Sequence, residues 1–163
     1  MKAMNTIRLF VDKFKFIDMR KIIIDDNWHF PKTRRTDFSK EEMLDIIDFY
    51  LQYKPQFDKN APNQAEHQPY APHDFTMLLY MYKMVDVDYI NNMTRIKKKY
   101  GKKYVEDLSK EKLSFLEIIT IFTFIHRAER HAGGLWYDEC TEDGTYYNLL
   151  CRLEEIRNEV EKE

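Results

Sequence analysis

A mainly α fold is the expectation from three features of this 163-residue chain. Glycine is scarce, with four residues in all, and long charged side chains are abundant, a balance that favours helices over turn-rich β architectures. Apolar residues recur with a helical period in most of the sequence, and two Ser-x-x-Glu sequences stand where helices should begin. Apolar residues make up 44%, enough for one core despite a charged fraction of 33%. The predicted architecture is a single domain over 1–163, a compact bundle of five to six helices with one long Pro-rich loop.

Taken in order, Ile7, Phe10, Val11, Phe14 and Ile17 form one stripe of an amphipathic helix. Residues 20–38 stay open between a continuation of that helix and a short strand. Ser39 with Glu42 reads as a capping box, and Met43, Ile46, Ile47, Tyr50 and Leu51 supply the stripe behind it. Pro55 is expected to end that helix, because the residue before a proline avoids helical geometry. Residues 55–72 hold four of the five prolines and read as the long loop, a candidate binding segment.

Phe75, Leu78, Leu79 and Tyr82 predict the next helix, and Tyr89, Met93, Ile96 and Tyr100 another closed by Gly101. Ser114 and Glu117 form a second capping box, with Leu113 and Ile118 at the staple positions. The run "IITIFTFI" would suit a buried strand by propensity, but the capping signals before it and "RAER" after it favour a long helix from about 115 to 132. Gly133 and Gly134 break it. Tyr146, Leu149, Leu150, Leu153, Ile156 and Val160 predict a final helix.

Function classes narrow next. The formal net charge of −2 gives no general nucleic-acid footprint. No apolar run is long enough to cross a bilayer, and no signal peptide interrupts the charged N-terminal sequence, so the expectation is a cytoplasmic protein with no membrane partner. Cys140 and Cys151 form neither a disulfide framework nor a zinc knuckle.

The stretch "RAERHAGGLWYDECTEDG" concentrates the chemistry. Glu129 continues the stripe of Ile118, Phe122 and Ile125, so a cation is expected beside it, and Arg152 of the final helix is the predicted partner. His126 and Glu129 share a helical face and, with His131, Asp138, Glu139 or Cys140, could hold a metal, though no HExxH motif accompanies them. His126, Glu129 and His131 could instead do acid–base work as a small hydrolase. No cofactor is expected. Lys97, Lys98, Lys99, Lys102 and Lys103, interleaved with tyrosines and joined by Arg34 and Arg35, form the nucleic-acid alternative. That alternative is disfavoured, because lysines in a last helical turn complement the helix dipole anyway.

The C-terminal region resembles an uncharacterised family of small bacterial proteins, many on mobile elements, with the pattern R-x-E-R-F-x-x-G followed by L-x-R-L. Arg127, Glu129, Arg130, Gly134, Gly144, Leu150, Arg152 and Leu153 stand at matching places, while His131, Ala132 and Gly133 depart from it. The resemblance implies a helical domain and a bacterial host, and no activity. The favoured expectation is a non-catalytic interaction protein that binds another protein, or a second copy of itself, through the 55–72 loop and an aromatic surface. Eleven tyrosines and eleven phenylalanines exceed what a small core should hide.

Overall fold

The computed structural model describes residues 34–60 and 71–162. The N-terminal amphipathic stripe, the helix-or-strand question over 20–33 and the middle of the Pro-rich segment lie outside the described residues. Eight helices occur among the described residues, and no strand. They are α1 (Lys40–Leu51), α2 (Lys54–Phe57), α3 (Ala71–Met81), α4 (Tyr89–Tyr100), α5 (Val105–Leu108), α6 (Phe115–Ala132), α7 (Leu135–Glu142) and α8 (Thr145–Lys162). The expected five to six is therefore too few. The excess comes from the single-turn helices α2 and α5 and from α7, all too short to show a periodic stripe.

α6 is the central element. Its start is set by a complete capping box: the Glu117 amide donates to Ser114 Oγ, and the Ser114 amide donates to the Glu117 carboxylate. Leu113 and Ile118 are both fully buried at the staple positions. The propensity conflict in "IITIFTFI" resolves because both buried hydroxyls are satisfied inside the helix, Thr123 donating back to the Ile119 carbonyl at 2.9 Å and Thr120 to the Asp86 carboxylate at 2.6 Å. The helix ends at Gly133, whose φ of 62° is the left-handed conformation glycine adopts without steric cost.

Five other helices pack around α6 or α8. α3 and α4 lie on α6, α7 touches both α6 and α8, and α1 and α2 pack on α8. The core is aromatic at its centre. Tyr50 stands 4.9 Å from both Phe75 and Phe122, and Tyr146 stands 5.0 Å from Phe57, ring centre to ring centre. Edge-to-face contacts such as Tyr53 with Phe75 add to simple burial. This corrects the argument from aromatic surplus: of the tyrosines and phenylalanines among the described residues, only Tyr104 is exposed.

Three further expectations change. Pro55 does not end α1, which stops at Leu51; it sits in the first turn of α2, where its missing N–H costs nothing. The Pro-rich segment is helical at both edges, since Lys54–Phe57 forms α2 and Ala71 and Pro72 open α3. At Ser39 only half of the capping box forms. The Glu42 amide donates to Ser39 Oγ, but the Glu42 carboxylate turns to the Arg35 guanidinium at 2.5 and 2.6 Å.

Candidate functional site

The sequence cluster around residues 126–143 becomes a helical corner. α6 ends at Gly133, Gly134 takes φ 97°, and α7 starts at Leu135 and folds back along α6. α7 has no capping side chain of its own. Glu129 supplies one from the preceding helix: its carboxylate accepts hydrogen bonds from the Gly134 amide and, at 2.9 Å, from the Tyr137 amide. A carboxylate at a helix N-terminus satisfies two orphan donors and complements the dipole.

The predicted Glu129–Arg152 pair does not form. Arg152 is buried at the other end of α6, where it donates to the Leu113 carbonyl at 2.8 Å and to the carboxylates of Glu155 and Glu159 at 2.7 and 3.2 Å. The reason is α7. Because the connection is itself a helix that returns the chain to the level of Phe122, α8 begins at mid-α6 and its middle reaches the N-terminal end.

His126 is half-buried between α3, α6 and α7. Its Nδ1 lies 3.2 Å from both Thr76 Oγ1 and the Tyr137 hydroxyl, and its Nε2 lies 3.4 Å from the Tyr80 hydroxyl. Thr76 gives its own proton to the Pro72 carbonyl, so Nδ1–H donating to Thr76 with Nε2 accepting from Tyr80 satisfies the neutral ring. Burial first, then the positive charges of Arg130 and Arg127, push the imidazole pKa down to about 4. The unfolded chain then binds this proton more readily, so the contribution of His126 to stability is full above about pH 6.5 and is lost as pH falls towards about 4. Neither Glu129 nor His131 is among its hydrogen-bond partners; Glu129 faces α7 and His131 is exposed in the last turn of α6.

Burial also pushes the Cys140 thiol up to about 12, which keeps it from forming the thiolate that nucleophilic or metal chemistry needs. Among the described residues no group of three histidine, cysteine, aspartate or glutamate side chains is placed to hold a metal. Of the remaining signature positions, Arg127 is half-buried, Arg130 reaches the Tyr80 hydroxyl at 3.4 Å, and Gly144 takes φ 88° before α8.

The basic segments are largely committed to internal partners. Arg34 enters a buried network around Asp86, which is 2% exposed. The Asp86 carboxylate accepts from Arg34 at 3.2 Å, Thr120 at 2.6 Å, Asn92 at 2.9 Å and the Asp88 amide at 3.1 Å. Arg35 is paired with Glu42, Lys99 with Glu117 at 2.7 Å, and Lys102 with Glu111 at 3.3 Å. Lys103 lies over the Tyr104 ring, and Lys97 over Phe124 at 5.6 Å. Lys98 is exposed.

An aromatic strip, absent from the sequence expectations, crosses the face between α4 and α7. Phe124 forms its centre, 6.3 Å from Tyr89 on one side and 6.5 Å from Trp136 on the other. Ile90 beside Tyr89 is 64% exposed and Leu135 beside Trp136 is 73% exposed. The sequence hid this face because "IFTFI" is apolar on every side of the helix, and the inward stripe of Phe122 and Ile125 draws attention away from Phe124. No family model matches the chain, and neither a curated protein nor a solved structure is detectably similar to it.

Proposed function

We propose that this chain is a non-catalytic interaction protein that binds another protein through the face of α4, α6 and α7 centred on Phe124. One observation carries the reading: an aromatic strip of Tyr89, Phe124 and Trp136 lies between two large, exposed aliphatic side chains, Ile90 and Leu135. Aromatic side chains held by packing and rimmed by apolar and polar neighbours are what protein interfaces use as anchors. The half-buried rings lose little conformational freedom on docking, whereas the exposed aliphatics gain burial. The 55–72 segment belongs to the same proposal as a second binding element. So do the bacterial, cytoplasmic setting and the family resemblance carried by Arg127–Gly134 and Gly144–Leu153, which assigns no activity.

The test is a paired affinity purification from bacterial cells with the wild type and the double variant Ile90→Ser/Leu135→Ser. Both positions are exposed, so the fold should survive, as circular dichroism will check. Proteins recovered by the wild type and lost with the variant are the expected result. Identical recoveries, with the variant folded, contradict the proposal.

A further inference from the structure

The flanks of the Phe124 strip differ in charge, and the difference is ordered. On the α4 flank, helical spacing puts Ile90, Thr94, Lys97 and Lys98 on one side, and Lys97 reaches Phe124 from it. On the α7 flank the same spacing puts Leu135, Glu139 and Glu142 on one side, next to Trp136, which reaches Phe124 from the opposite direction. Along its own helix each flank therefore opens with an exposed aliphatic and continues with charges of a single sign, basic on α4 and acidic on α7, where Lys59 reaches the main-chain carbonyl of Glu142 and not its carboxylate. Lys98, Glu139 and Glu142 are exposed. None of these four charged side chains makes an ion pair among the described residues, although Lys99 and Lys102 in and just beyond the last turn of α4 both do.

Resting on the reading of this face as a protein-binding surface, we infer that its occupant is a second copy of the chain. A two-fold contact is self-complementary, since the patch that meets its partner is the same patch. Two copies facing each other about a two-fold axis that lies in the plane of the contact and crosses the strip at Phe124 bring the basic flank of each onto the acidic flank of the other, with the Phe124 strips meeting between them. Lys97 and Lys98 then oppose the partner's Glu139 and the partner's Glu142, twice over. The net charge of −2 leaves little general repulsion between copies. A foreign partner would need its own matched pair of charged flanks, while a second copy has them by symmetry.

The experiment is sedimentation equilibrium on the full chain and two charge-reversed variants. Variant one carries Lys97→Glu and Lys98→Glu; variant two carries Glu139→Lys and Glu142→Lys. Wild type should be dimeric at micromolar concentration, with weaker association as salt rises. Each variant alone opposes like charges and should weaken association at least about tenfold. An equal mixture of the two variants restores both contacts and should recover the dimer. A wild type that stays monomeric, or a variant that remains as dimeric as wild type, overturns the inference, and so does a mixture that does not recover. A monomer that still recovers proteins selectively through Ile90 and Leu135 would fail this inference alone; a monomer that does not would fail the proposed function too.

Discussion

At the scale of single residues, Glu129 shows how a suspicious polar cluster resolves into structure. Its spacing from Phe122 and Ile125 puts it on the inward-leaning side of α6, and there it is half-buried against α7. Its partner was misplaced, because a helical stripe tells which way a side chain leans and not which group awaits it. Two backbone amides of α7 take the place foreseen for the Arg152 guanidinium. The consequence is a smaller expected cost of removal than for a severed buried ion pair. Glu129→Ala should lower stability by about 1–2 kcal/mol, the range for a lost helix cap, as read from urea unfolding with an unchanged m value. A loss well above that range would mean that the carboxylate does more than cap α7. The same limit of sequence reading applies to Arg152, one of whose acceptors is the carbonyl of Leu113, a group that no composition or motif announces.

Among the elements, α6 and α8 were legible almost to the residue, since each carries a long apolar period and α6 also has a capping box and a closing glycine. α4 was legible for the same reasons, with Gly101 closing it. The single-turn helices α2 and α5 were not, because four residues cannot display a period. Nor was the stop of α3, which takes a left-handed Lys83 at φ 55° with Met84 donating back to the Leu79 carbonyl, a closure usually given to glycine. The buried Asp86 network was equally hidden, because Arg34, Asp86, Asn92 and Thr120 are far apart in sequence and none belongs to a motif. That network ties the segment at Arg34 and the start of α4 to the middle of α6. Asp86→Ala strips a buried acceptor from a half-buried guanidinium and amide and from a buried hydroxyl together and should cost about 3 kcal/mol in chemical denaturation. A fall below about 1 kcal/mol would show that water replaces the carboxylate without loss.

For the whole molecule, the helical class followed from composition and period, while the location of function did not. Attention in the sequence goes to the charged corner at 126–143, where titratable side chains are dense. In the fold the buried groups of α6 are engaged, His126 by Thr76, Tyr80 and Tyr137 and Glu129 by the start of α7, while Glu139 and Glu142 of α7 stand exposed. What stands open is the apolar face around Phe124, assembled from three helices whose separate sequences give no sign of adjacency. The central claim is thus spatial, that binding occurs on this face and not at the α6 end of the charged corner, around His126, Glu129 and His131. The most direct measurement places a photo-crosslinking phenylalanine analogue at Leu135 in one variant and at His131, exposed at that corner, in another. Covalent adducts to protein, whether to a second copy or to another chain, should form from position 135 and stay at background from position 131. Adducts from 131 with none from 135 would contradict the account.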